Sequence, residues 1–173
     1  MDVTLLEVTS EHAALIERWL HAEHVRRYWG DPAQTGRALD ALPPETRRAI
    51  IEVGGREVGL AIWQCPTRRE LDAAGLHDIP ETVTDIDILI GEPDAVGRGI
   101  GSAALRLIAD GALENPGVPF VIAAAAVENA ASRRAFAKAG FVEDREFDDV
   151  PDGHYVLLVR RRTGLGGIPV REP

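Results

Sequence analysis

The sequence has one cysteine, Cys65, among its 173 residues. That excludes an internal disulfide and a cysteine-built metal cluster, so no metal is expected. It has no excess of basic residues: 28 Asp and Glu stand against 19 Lys and Arg, a formal net charge of −9. A nucleic-acid partner, which needs a basic face, is therefore set aside. No apolar run is long enough to span a bilayer, so no membrane association is expected. The opening Met1-Asp2-Val3-Thr4 lacks the basic and apolar regions of a secretion signal. With the lone cysteine, this makes the cytoplasm the expected compartment. There is no internal repeat, no low-complexity block and no Gly-Lys-Ser/Thr of a Walker phosphate loop.

What is there fits one domain with one sizeable core, expected over residues 1–162. Residues 163–173, rich in Gly and Pro, are expected to form a loosely ordered tail. The acidity suits a cationic substrate, because an acidic cleft concentrates cations. It is equally the ordinary acidity of a soluble protein.

Residues 3–8 alternate loosely and predict an opening strand. Ser10 is a good N-cap for a helix over 11–22, whose apolar face is Leu15, Ile16, Trp19 and Leu20. Gly30-Asp31-Pro32 breaks the chain, leaving Tyr28 and Trp29 just past that helix. A second short helix over 34–42 ends at Pro43-Pro44. Strands are predicted over 48–53 and 58–64 around the turn Gly54-Gly55-Arg56-Glu57. Residues 66–82 read as a long loop with room for one helical turn, a length that is often functional. Residues 83–90 form the clearest strand, rich in β-branched side chains. A helix over 99–114, a strand over 118–124 and a helix over 129–139 ended by Gly140 come next. Strands over 141–147 and 155–161 flank Pro151-Asp152-Gly153. This order implies an α/β domain (α+β) with a partly antiparallel sheet.

The segment carrying the most chemistry is Val96-Gly97-Arg98-Gly99-Ile100-Gly101-Ser102. A strand runs into a turn of alternating glycines that opens a helix. Successive N–H groups there can converge on one anion, aided by the helix N-terminus. Glycines let the backbone approach a phosphate with no Cβ in the way. Arg98 and the Ser102 hydroxyl can add donors. The spacing and the position late in the chain do not fit a dinucleotide fingerprint.

This turn resembles the acyl-CoA-binding loop of the GNAT acetyltransferases, Gln/Arg-x-x-Gly-x-Gly/Ala, with Val96 at the first position. Independently, Asn129-Ala130-Ala131-Ser132-Arg133-Arg134-Ala135-Phe136-Ala137-Lys138-Ala139-Gly140-Phe141 is similar to the family segment Asn-x-x-Ser/Ala-x-x-x-Tyr-x-Lys-x-Gly-Phe. The resemblance implies a mixed, mostly antiparallel central sheet flanked by helices, with splayed central strands. It implies acetyl-CoA as donor, with pantetheine paired along Asp87, Ile88, Leu89 and Ile90 like an added strand. Asn129, Ser132, Phe136 and Lys138 would then lie near the pantetheine arm or the phosphates. In the family the tyrosine often protonates the leaving thiolate; Phe136 cannot donate a proton.

A longer likeness reaches to about residue 162. Trp19-Leu20-x-x-x-His24-Val25-x-x-Tyr28-Trp29-Gly30, the pair Ile86-Asp87 and Pro151-Asp152-Gly153 are similar to aminoglycoside 6'-N-acetyltransferases. The first segment is also similar to acyltransferases of hydroxylysine in siderophore synthesis. The aminoglycoside likeness implies Asp87 as general base, Asp152 as a contact to substrate amino groups and Trp29 as a wall of the site. Those enzymes usually carry Asp-Pro where this chain has Ala124-Ala125, so one substrate-binding acid is lost.

An ordinary alkylamine must lose a proton before it attacks a thioester, and a neighbouring acid can take it. Asp87, among isoleucines and beside the expected thioester, is placed for this and could have a raised pKa; the alternative is a structural aspartate. A backbone N–H near Ile88 or Leu89 could stabilise the thioester oxygen. Tyr28 and Trp29 are either core or an acceptor wall. Asp78, Glu81 and Asp85, in the acidic loop with Glu70 and Asp72, are either a solvated face or a rim that attracts a polyamine. His24 reads as structural. Three functions stand: N-acetylation of a cationic small molecule with an aminoglycoside leading, acylation of a hydroxylysine-type precursor or protein amine, and a non-catalytic acyl-CoA-binding module. The chain is expected to be a monomer or homodimer.

Overall fold

The computed structural model describes residues 2–149 and 153–162. Asp152 and the tail 163–173 lie outside the described residues. Seven strands form one sheet in the order β1-β2-β3-β4-β5-β7-β6. They are β1 (Val3–Glu7), β2 (Arg47–Val53), β3 (Arg56–Gln64), β4 (Thr84–Ile90), β5 (Phe120–Ala126), β6 (Val142–Asp149) and β7 (Gly153–Arg161). Every neighbouring pair is antiparallel except β4 and β5. The six α-helices are α1 (Ala13–Leu20), α2 (Glu23–Trp29), α3 (Pro32–Asp40), α4 (Arg68–Ala73), α5 (Ile100–Glu114) and α6 (Ala130–Lys138). This is the mixed, mostly antiparallel sheet flanked by helices that the sequence implied.

Local chemistry sets the connections. Gly54 and Gly55 both have positive φ, 60° and 79°, and link Val53 to its partner Arg56 in a two-residue hairpin. Helix α6 ends on Gly140 at φ 90°, where Phe141 N–H donates to Phe136 O and Gly140 N–H to Ala137 O. That paired closure brings Phe141 edge-on to Phe136, with ring centroids 5.1 Å apart. Helix α5 buries Ile100, Ala104, Leu105, Ile108 and Leu113, a stripe of helical period, against Ile86, Val121 and Ala123.

The entry region differs from expectation. Ser10 begins a short 3-10 turn capped by Thr9, whose N–H donates to His12 Nδ1 at 2.9 Å. The following helix stops at Leu20, and a separate helix, α2, carries Tyr28 and Trp29 on its last turn. The long loop contains α4, opened by a Thr67–Glu70 capping box. Arg68 then ties it by donating to Ile79 O and Leu76 O.

One face of the sheet carries a continuous core under α5 and α6. The other carries two separate clusters. One lies around Trp19, Leu20, Val25 and Leu89 beneath α1–α3; the second lies around Leu71, Ile79, Val83 and Ile122 beneath α4. Along β4, side chains alternate between faces. Val83 therefore belongs to one cluster, Leu89 to the other, and Asp85 and Asp87 fall between them.

Candidate active site

Strands β4 and β5 pair at only two positions, Thr84 with Val121 and Asp85 with Ile122. Beyond these the strands part. Gly91 N–H donates to Val58 O, which fixes the alternation along β3 and β4. By that alternation Leu89 and Asp87 turn their peptide groups to β3, while Ile88 and Ile90 turn theirs into the gap. Of the two amides considered for the thioester oxygen, Ile88 N–H is thus the one open to a ligand. Leu89 N–H is engaged within the sheet.

A cavity of about 380 Å³ occupies this gap. Ile88, Leu89 and Ile90 line it from β4, and Val96, Gly97, Gly99, Ile100, Gly101 and Ser102 from the turn and the start of α5. Asn129, Ser132, Phe136 and Lys138 line it from α6, and Tyr28 and Trp29 from α2. The structure therefore brings together nearly every residue singled out for the donor, and places both aromatics beside them. Arg98 is exposed and does not line the cavity. His24, Ala131 and Arg134 also line it, though the sequence reading left them out of the site. The i, i+4 spacing of Arg134 and Lys138 on α6 was the available signal for Arg134.

The glycine turn is shaped to hold an anion. Gly97 and Gly99 have φ of 76° and 82°, a region that side-chain-bearing residues avoid. Among the described residues, the amides from Gly97 to Ser102 donate to no protein acceptor. Asn129 caps α6 with its Oδ1, accepting from Ser132 N–H at 3.0 Å. Its amide NH2 is left for the cavity it lines. Phe136 is buried and brings no hydroxyl.

The approach to the turn is braced. Glu92 accepts from Trp19 Nε1 at 2.8 Å and from Arg18 and Arg56, and Arg56 also clasps Asp94. Gly91 lies against the Trp19 indole so closely that a Cβ there would stand 2.0 Å from the ring.

Beneath α4 lies a smaller cavity of about 140 Å³, lined by Glu70, Asp85, Ala124, Phe147 and Asp149 among others. Asp85 carries a pKa well above the usual carboxylate range, from burial and from the charges of Asp87 and Glu70. Asp87, two residues on, has exposed surface yet is crowded by protein, and loss of surrounding water pushes its carboxyl up to about 6. Asp85 carries the added repulsion, so Asp87 is the first of the pair to ionise. The remaining acids go elsewhere. Asp78 pairs with Arg145, and Glu81 accepts from Arg68 N–H at 2.8 Å at the start of α4. Neither lines a described cavity, and nor does Asp87, which sits on β4 between the Asp85 that lines the smaller one and the Ile88 that lines the larger. Glu70 and Asp149 do line the acidic one, and no periodicity along the chain places them there.

The family profile of the acetyltransferase (GNAT) domain matches residues 8–149. The chain belongs to the GNAT acetyltransferase family. Among curated relatives of this GNAT chain are the aminoglycoside N(6')-acetyltransferases type 1 of Klebsiella pneumoniae and Serratia marcescens. Each is 24% identical, over 95% of this chain and 85% of the relative. Among solved structures, the aminoglycoside acetyltransferase AAC(6')-Ib with coenzyme A and kanamycin superposes with a TM-score of 0.77 and 23% identity. The match covers 93% of this chain and 95% of that one. The site of this acetyltransferase fits coenzyme A. Unspent amides at Gly97–Ser102 suit a pyrophosphate, the parted strands offer a slot for the pantetheine, and Arg134 and Lys138 supply positive charge.

Proposed function

We propose that this GNAT enzyme transfers an acetyl group to a primary amine of a cationic small molecule, an aminoglycoside 6'-amino group foremost, with Asp87 as general base. Bound acetyl-CoA supplies the activated acyl group. The observation that carries the reading is the position of Asp87 and Asp85 on β4, at the level where β4 leaves β5. An amine arriving on that face meets the Asp87 carboxylate one residue from the open Ile88 amide, with Asp85 two residues further back along the strand.

Asp87, ionised above about pH 6, holds the incoming ammonium and accepts its proton, directly or through water. Ile88 N–H, turned into the gap, stabilises the oxygen that gains charge during attack. Tyr28 and Trp29 wall the acceptor side, and Asp85, which burial and its acidic neighbours keep protonated longer than Asp87, offers a neutral hydrogen-bonding carboxyl behind it. Phe136 has no proton to give, so the leaving sulfur is protonated by water or another group, or departs as the thiolate. Asp78 and Glu81, engaged by Arg145 and by α4, act at most as a distant acidic rim. The acceptor class is supported by relatives named for aminoglycoside N(6')-acetylation.

The test is thiol release from acetyl-CoA with a panel of aminoglycosides, polyamines and hydroxylysine. Rapid release with kanamycin-like compounds is expected. Release with hydroxylysine alone would overturn the acceptor class, and tight donor binding with no release to any amine would overturn catalysis.

A further inference from the structure

Helix α2 is seven residues long and buries one side chain, Val25. Such a helix has little stability of its own. Its main polar tie to the sheet is made by half-buried His24, whose Nε2 lies 2.8 Å from Ile90 O. A carbonyl oxygen only accepts, so Nε2 carries the proton and donates. Ile90 is the last residue of the strand bordering the large cavity, and its carbonyl points into the gap. His24, Tyr28 and Trp29 all line that cavity from α2. At the far end of the helix, Gly30 N–H donates to Arg26 O and Thr35 Oγ1 to Trp29 O. Those bonds hold α2 to itself and to α3, and none reaches the sheet.

We propose that His24 is a positioning residue that couples the donor strand to the acceptor wall, seating Tyr28 and Trp29 through its bond to the Ile90 carbonyl. The inference rests on the reading of α2 as the acceptor wall. An acyl donor lying along Ile88 and Ile90 steadies the end of β4, and the His24 bond passes that order to α2. Donor occupancy thereby sets the aromatic wall before the amine arrives.

The test compares His24→Gln with His24→Asn. A glutamine Nε2 is as many bonds from the backbone as a histidine Nε2 and can reach Ile90 O; asparagine is one methylene short. In the parent and the Gln variant, acetyl-CoA should slow amide hydrogen exchange over residues 26–30. In the Asn variant that donor-dependent slowing should vanish, and, because coupling is reciprocal, Kd for acetyl-CoA should rise by no more than the exchange factor that is lost. With a turned-over amine, the Asn variant should lose about tenfold in kcat/KM through KM of the amine, as expected for one lost hydrogen bond. The Gln variant should recover most of it. Donor-dependent slowing that persists in Asn, or equal loss in Gln and Asn with unchanged melting, would overturn the proposal. Should Asn fail to fold, loss of the slowing in a folded Gln variant would overturn it and retention would support it. If no amine is turned over by the parent, the acceptor reading fails, and the exchange measurement still decides the coupling.

Discussion

Replacing Gly91 by alanine should destabilise the protein strongly, and for one traceable reason. Gly91 does not have positive φ, so the backbone itself would accept alanine. The obstacle is Trp19. A Cβ at position 91 would stand 2.0 Å from indole Cγ and 2.3 Å from Cδ1 and Cδ2. Carbon atoms in contact prefer about 3.5–4 Å, so the ring must retreat by about 1.5 Å. It has nowhere to go: Trp19 is 1% exposed and wedged among Leu20, Val25, Ile50 and Leu89. Overpacking of this kind costs about 1–3 kcal/mol. A retreating ring also surrenders the Trp19–Glu92 hydrogen bond, and a bond to a charged group contributes about 1.5–3 kcal/mol. The two losses overlap, so a total near 3 kcal/mol is expected, which lowers Tm by about 6–12 °C for a chain of this size. Donor affinity should fall too, since Glu92 anchors the Arg56–Asp94 brace leading into the glycine turn. The control is Gly101→Ala. There the new Cβ would meet Ile90 of β4 at 3.8 Å, an ordinary contact, at a helical position that favours alanine, and Tm should hold or rise. Melting of Gly91→Ala within 2 °C of the parent, by about the error of the measurement, would refute the reasoning.

Asp87→Asn should lower kcat by about 100-fold or more, the usual worth of a general base, and leave Kd for acetyl-CoA nearly unchanged; undiminished turnover would remove Asp87 from the chemistry. In the parent, kcat/KM should rise with pH as Asp87 ionises near about 6, and that limb should disappear in the variant. The same raised carboxyl has a cost in stability. A folded pKa above the unfolded one favours the native state below the usual carboxylate range, and that benefit is lost as pH rises through about 6. Melting curves taken between pH 4 and pH 7, about the window spanned by the two values, should therefore favour Asp87→Asn over the parent at the upper end only. Gly97→Ala and Gly99→Ala each force a side chain into positive φ, at about 1–2 kcal/mol. By calorimetry they should weaken acetyl-CoA binding by about tenfold, with little change in KM for the amine.

Elements with their own local signal were legible in the chain. The hairpin at Gly54-Gly55, the isoleucines of β4, the stripe of α5 and the cap at Gly140 each announce themselves within a few residues, and the structure has them. The lining of the large cavity was legible for the same reason, since much of it is consecutive backbone after one strand and one face of α6. What was missed depends on distant partners. Helix α2 has only Val25, Tyr28 and Trp29 as an apolar set, and its contacts, the Trp19 cluster and the Ile90 carbonyl that His24 meets 66 positions away, lie out of local view. Asp78 and Glu81 looked free in sequence because Arg145 and the start of α4 were out of view. Glu70 and Asp149, both lining the acidic cavity, come together only through the packing of α4 over β5 and β7.

The two hydrogen-bonded positions between β4 and β5 have a mechanical consequence. The fold is two half-sheets joined by a short seam at one end, and from there they diverge like the blades of opened shears. A guest backbone laid between the blades would act as a temporary eighth strand bridging both. Saturating donor should then raise Tm by mass action, and the added protection from exchange should appear on both blades, at 86–90 and at 123–126, rather than only around the glycine turn.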